Sequence, residues 1–126
     1  MSTIKVNKIQ DTSSANSSTP AEIHSGRAKA WVNFNGVGTV VIRDDYNVDS
    51  ITDNSTGNYF VNYTNDLDGS NYVITGSSGG TSNTTNGAIY LVDQSTARTA
   101  AKCRIYIGST NGAAVDCDMI NIVMFD

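Results

Sequence analysis

From Ala28 onward, apolar and polar residues alternate with a period of two. One face of this stretch carries Ala28, Ala30, Val32 and Phe34. Trp31, the only tryptophan of the chain, falls on the opposite face. A period of two over several residues predicts a β-strand with one face turned to a core.

Similar short runs continue along the chain, and turn-forming residues separate them. The domain contains about eight such runs, with no helix longer than two turns. They span residues 28–34, 39–43, 46–52, 59–63, 71–75, 88–93, 102–108 and 114–125, and a further run precedes them at residues 4–9. Asn35-Gly36, Asp68-Gly69, Asn86-Gly87 and Asn111-Gly112 are turn pairs typical of hairpins. The spacing predicts an all-β fold, an antiparallel β-sandwich of jelly-roll-like type.

Two polar stretches interrupt the runs. The Asp44-Asp45 pair predicts a break between two strands, and residues 76–87 predict either an exposed loop or a segment that a partner orders.

The first 25 residues differ from the rest and predict an extended arm preceding a domain of residues 26–126. A short strand over Ile4–Ile9 precedes a small, polar linker at residues 11–20. Residues 21–27 allow one helical turn, capped by Thr19 with Pro20 at its first position. The arm is expected to serve attachment or oligomer contacts, and its candidate residues are Ile4, Val6 and Ile9.

The last run, residues 114–125, is apolar on both faces, whereas a half-exposed antiparallel strand alternates. Two interpretations remain open: a central strand of the sandwich, or a strand with one face against a neighbouring subunit. The second gives these candidate interface residues: Trp31, Ile120, Ile122, Met124 and Phe125.

Composition agrees with a β-rich, soluble chain of one domain. Ser, Thr and Asn make up a third of the 126 residues, and there is one Pro. The formal net charge of −4 argues against a nucleic-acid partner, because phosphate contacts require clustered cations. The N-terminus lacks the apolar core of a signal peptide, and no run is long enough for membrane insertion.

Candidate chemistry is sparse, and we predict no catalytic, cofactor-binding or metal-binding residues. His24, the only histidine, has no nucleophile motif near it. The Asp residues at 44, 45, 49 and 53 cluster in sequence, but nothing singles out a raised pKa among them. Asp66–Asn71 resembles an oxygen-rich cation loop, yet it lacks the closing Glu, which favours an ordinary hairpin loop.

Two cysteines, Cys103 and Cys117, lie in the last quarter of the chain. A hairpin turning at Asn111-Gly112 would place Cys103 opposite Ile120 and Cys117 opposite Tyr106. That register separates the thiols and favours two reduced core residues, with a disulfide as the alternative.

One string of residues between Arg27 and Asn62 is distinctive. Its members are Arg27, Ala30, Trp31, Val32, Asn33, Phe34, Gly36, Arg43, Asn47, Val48, Ile51, Asp53, Gly57, Tyr59 and Asn62. This string resembles a recurrent domain of bacteriophage tail-fibre and related virion proteins. The resemblance continues more loosely through Tyr72-Val73-Ile74 to the C-terminal "INIVMF", and the opening "TIKVNKIQDTS" is similar to strand-and-linker openings of such proteins.

This resemblance implies a virion structural protein, usually a homotrimer, without catalytic residues and without a cofactor. The expected partners are other copies of the chain, other virion proteins of tail or capsid, and a host-surface glycan. The expected location is the virion, after synthesis in the host cytoplasm. Three alternatives are a capsid head fibre or decoration protein, a lectin-like carbohydrate-binding module, and a small glycan hydrolase.

Overall fold

The computed structural model describes residues 2–13, 16–80, 87–91, 98–109 and 111–126. Ten strands and one short helix are present in these residues. In chain order they are β1 (Ile9–Gln10), β2 (Ser17–Ser18), α1 (Pro20–Gly26), β3 (Ala30–Asn35), β4 (Val41–Tyr46), β5 (Val48–Ser55), β6 (Asn58–Tyr63), β7 (Val73–Gly79), β8 (Gly87–Leu91), β9 (Lys102–Ser109) and β10 (Met119–Phe125).

Eight of the strands form two antiparallel four-stranded sheets that enclose one core. Sheet I has the order β4-β3-β10-β7, and sheet II has the order β5-β6-β9-β8. The inner residues of both sheets belong to a single buried cluster. The predicted all-β antiparallel sandwich of about eight strands is therefore confirmed.

Strand β3 forms as its sequence predicts, with alternate residues turned inward. Ala30, Val32 and Phe34 are buried, while Trp31 and Asn33 between them are half-buried on the outer face. The inner face of β10 matches it, since its register places Ile120 opposite Phe34 and Ile122 opposite Val32. Burying such side chains contributes about 1.5–3 kcal/mol each.

Strand β10 lies between β3 and β7, so the central-strand interpretation of its two-sided apolarity is confirmed. Ile120, Ile122 and Met124 are buried in the core of this one chain. The expectation that these three residues lie at a subunit interface is therefore wrong. Phe125 lies on the outer side of the same strand and is half-buried.

The predicted hairpin between residues 102–108 and 114–125 is wrong, because the two segments enter different sheets. Only its tip forms: Gly108 bridges Ala114, and the N–H of Val115 donates to Ile107 O at 3.1 Å. Beyond the tip the chain crosses to sheet I. The predicted cysteine register fails with it, since Cys103 stands opposite Val61 of β6.

Two other boundaries differ from the sequence prediction. Asp44 and Asp45 lie inside β4, and the break falls at Asn47, whose φ of 57° reverses the chain. Residues 76–79, predicted as a loop, belong to β7 and pair with β10. Residues 81–86 of the same polar tract lie outside the described residues.

The N-terminal arm contains less strand than predicted. Only Ile9–Gln10 pairs, with Ser17–Ser18, and residues 2–6 belong to no strand. Helix α1 begins where the sequence predicts. The N–H of Thr19 donates to Glu22 Oε2 at 2.6 Å, and the N–H of Glu22 donates to Thr19 Oγ1 at 3.2 Å. The Thr19 N–H lowers the pKa of the Glu22 carboxyl, so this capping box is complete above that pKa.

Tyr59 connects three chain segments at one end of the sandwich. Its fully buried ring packs edge-on against Phe34 of the opposite sheet, with centroids 5.3 Å apart. Its hydroxyl lies 2.5 Å from Asp116 Oδ1 and 3.1 Å from Gly36 O. The same carboxylate oxygen accepts the N–H of Gly57 at 2.7 Å. Burial, followed by the Asp116 carboxylate, raises the pKa of Tyr59 well above its ordinary value, so the hydroxyl remains a donor.

Replacing Gly57 by Ala should destabilise the fold strongly. Gly57 has a φ of 65°, and an added Cβ would lie 2.3 Å from Ile107 O. Backbone strain and this overlap together should lower the free energy of unfolding by about 3–5 kcal/mol. Gly112→Ala is the matched control, since its φ is 81° and a Cβ there meets nothing within 4 Å. It should cost only about 1–2 kcal/mol. Equal losses for both variants in chemical denaturation would contradict this account.

Candidate functional site

The outer face of sheet I carries a groove of about 820 Å³ that contains Trp31. Two rows of side chains cross this face, each with one residue from each strand. The members of the first row are Tyr46, Trp31, Val123 and Thr75. The members of the second row are Asp44, Asn33, Asn121 and Ser77. An aromatic row therefore runs beside a hydrogen-bonding row, about 7 Å away along the strands.

The hydrogen-bonding row is connected within itself. Asn33 Nδ2 donates to Asn121 Oδ1 at 2.6 Å, and Asn121 Nδ2 donates to Ser77 Oγ at 3.3 Å. These bonds fix the two amides and connect β3, β10 and β7 across the outer face. Asp44, at the β4 end of the row, accepts the N–H of Asp45 at 3.0 Å and is exposed.

A second groove, of about 580 Å³, lies between the arm and helix α1. Its apolar lining comes from the arm residues Ile4, Val6 and Ile9 and from Ile23 of the helix. The three arm residues are 86%, 44% and 55% exposed. Cationic side chains of Lys5 and Arg27 stand beside them. The candidate attachment residues thus share one basic, apolar surface.

The outer face of sheet II carries cationic side chains, whereas the outer face of sheet I carries the Asp44 carboxylate. Lys102 Nζ lies 4.5 Å from the centroid of the Phe60 ring, and Arg104 Cζ lies 5.9 Å from it. Arg104 Nε also donates to Asn58 Oδ1 at 2.8 Å. Lys102 and Arg104 therefore contact neighbouring side chains of their own sheet.

The described residues include His24 and the loop that resembles a cation site. His24 is exposed on α1, far in sequence from any nucleophile motif, and its backbone oxygen accepts Lys29 Nζ at 2.6 Å. No group of three His, Cys, Asp or Glu side chains is arranged to hold a metal ion among these residues. In the Asp66–Asn71 loop, the N–H of Asp68 donates to the Asp126 carboxylate. Leu67 of that loop is buried.

Both cysteines are free and buried. Cys103 is fully buried on the inner face of β9, and burial raises its pKa to about 11. Burial also raises the pKa of Cys117, whose backbone oxygen accepts the N–H of Gly36 at 2.8 Å. The interpretation of two reduced core thiols agrees with this arrangement.

Sequence reasoning singled out Trp31 but missed its neighbours. Tyr46 was placed at a strand start, although a correct β4–β3 register sets it directly opposite Trp31. The outward position of Asn33 and Asn121 could have been predicted from the sequence, since each is a polar residue between two apolar residues that face inward. No sequence pattern indicated Asp116, whose carboxylate accepts hydrogen bonds from the Tyr59 hydroxyl and the Gly57 N–H.

A scan against protein-family models, a search of curated proteins and a search of solved structures each found no match. Within the described residues, no helix is long and apolar enough to cross a membrane.

The two thiols should be unreactive in the folded protein. A pKa of about 11 for Cys103, two units above its ordinary 9, lowers its thiolate fraction at pH 8 about 100-fold, and burial blocks access further. Titration with a chromogenic disulfide reagent should release no thiolate promptly from native protein, and two equivalents per chain after denaturation in guanidinium chloride. Prompt labelling of either cysteine in the native chain would contradict the buried, reduced state.

Proposed function

We propose that this chain is a structural protein of a phage virion, a tail-fibre-like trimeric appendage. In this proposal the N-terminal arm attaches it to the particle, and the exposed sandwich surface serves in host-surface recognition. No catalytic role is proposed for any residue.

The observation that carries the proposal is what the residues of the virion-protein resemblance do in this fold. Ala30, Val32, Phe34, Val48 and Tyr59 are buried in the core. Each therefore specifies the sandwich itself rather than a reaction. Because these five positions of the pattern form the core, the resemblance supports a shared architecture, and so a structural role.

The turn residues of the same resemblance support this argument. Asn47 adopts a φ of 57°, and its side chain bonds to Lys29 O and Asn65 O, each at 3.1 Å. At Gly36 an added Cβ would lie 2.4 Å from the Tyr59 hydroxyl, so only glycine fits. Asn47 and Gly36 therefore stabilise the connections between strands. A virion protein that must resist unfolding needs such stable connections.

A lectin-like module is the second candidate, and the Trp31 groove favours it. An exposed aromatic row beside amide and carboxylate groups provides a ring surface for stacking and partners for sugar hydroxyls. Glycan binding by the isolated chain that Trp31→Ala abolishes would favour this function as the main one. A capsid head fibre or decoration protein remains the alternative within the virion class.

The intact chain should be a trimer in solution. Native mass spectrometry at micromolar concentration should give three times the 13.4 kDa of one chain. The same sample in denaturant should give the single-chain mass, which controls for covalent linkage. A monomer under native conditions would count against the trimer.

Removing Ser2–Lys8 should abolish attachment to the particle and leave the sandwich folded. These residues are exposed and belong to no strand, so their loss removes no core contact. Circular dichroism should be unchanged, and particles from a phage carrying the deletion should lack the protein on immunoblotting. Particles that keep normal amounts of it would refute the role of the arm.

A further inference from the structure

Charge is divided unevenly between the two parts of the chain. Residues 1–29 contain four Lys or Arg and two Asp or Glu, a formal charge of +2. Residues 30–126 contain four Lys or Arg and ten Asp or Glu, a formal charge of −6. The arm and the sandwich of separate copies therefore attract each other.

Strand β4 forms one edge of sheet I and presents an anion on each of its sides. Asp44 stands opposite Asn33 on the outer side, and Asp45 stands opposite Val32 on the inner side. Both aspartates are exposed. Charged residues on an edge strand oppose pairing with a neutral strand, and a strand that brings cations to Asp44 and Asp45 would relieve this opposition.

The arm has the matching pattern. Ser2–Lys8 lies outside any strand, and Ile4 is 86% exposed. In an extended chain Val6 and Lys8 share the side of Ile4, and Lys5 falls on the other side. Each side of the arm thus presents one lysine, as each side of β4 presents one aspartate.

Apolar contacts favour the same pairing. On β4, Val41 is 52% exposed and Tyr46 is 48% exposed. Together with Asp44 they line the outer side of the edge, next to Trp31. Ile4 and Val6 of an added strand would cover these side chains, so the edge and the arm would bury each other's exposed apolar surface.

We propose that Ser2–Lys8 of one copy binds as an added strand along β4 of a second copy, with Lys5 and Lys8 paired to Asp44 and Asp45. This inference rests on the proposed function: the arms hold the proposed trimer together, and the trimer attaches to the particle, so deleting Ser2–Lys8 should abolish both. The arm of each copy contacts a different surface of the next, and such a head-to-tail contact forms a closed ring when its rotation closes. In a ring of three copies, each arm pairs with the β4 edge of the next sandwich, so no β4 edge is left unpaired.

Charge reversal in the full-length chain tests the contact. Lys5→Glu with Lys8→Glu should weaken self-association about 100-fold, since two attractive pairs become repulsive. Asp44→Lys with Asp45→Lys should weaken it equally. The chain with all four changes should associate as the wild type does. Sedimentation equilibrium measures each dissociation constant, and circular dichroism confirms that each variant is folded.

Asp49→Lys with Asp53→Lys is the control, because it makes the same change in net charge on the neighbouring edge strand β5. It should weaken self-association far less, and it should not restore the Lys5→Glu, Lys8→Glu chain. An assembly that neither β4 nor arm variants weaken, or that the control weakens equally, would overturn this contact while leaving the proposed trimer intact. A wild-type chain that is monomeric throughout would overturn both.

Discussion

The contact between Tyr59 and the opposite sheet is the constraint on which the sandwich depends. Its ring meets Phe34 across the core, and its hydroxyl is held at Asp116 and beside Gly36. One side chain thereby fixes the distance between the sheets and the position of the β3–β4 and β9–β10 connections. Because Asp116 also accepts the N–H of Gly57, the start of β6 is tied to the same point.

Much of the fold could be predicted from local sequence, because period-two alternation reflects burial directly. Alternation indicated the inward face of β3, and the Thr19-Pro20 pair indicated the start of α1. Pairing between distant segments could not be predicted, since alternation carries no information about partners. The turn at residues 111–112 made 102–125 look like one hairpin, whereas the chain leaves sheet II after Val115 and enters sheet I. That crossing makes Ile120 and Ile122 core residues rather than interface residues.

The outer surface was less predictable than the core. Trp31 stood out by composition, but its rows of neighbours follow from the register of four strands that are distant in sequence. The acidic cluster at residues 44–53 stands out in the sequence, although nothing in the sequence marks it as catalytic. In the fold it marks two adjacent edge strands, β4 and β5, where charge opposes unwanted pairing. The proposed pairing with the basic arm would give Asp44 and Asp45 of this cluster a selective partner.

The central claim is that the chain is a structural part of a phage particle, and locating it in intact virions tests this most directly. Cryo-electron microscopy of particles, with and without antibody fragments against the sandwich, should place the protein on the tail as trimeric projections. Density on the capsid would instead support the alternative of a capsid head fibre or decoration protein. Purified particles that lack the protein altogether would contradict the account.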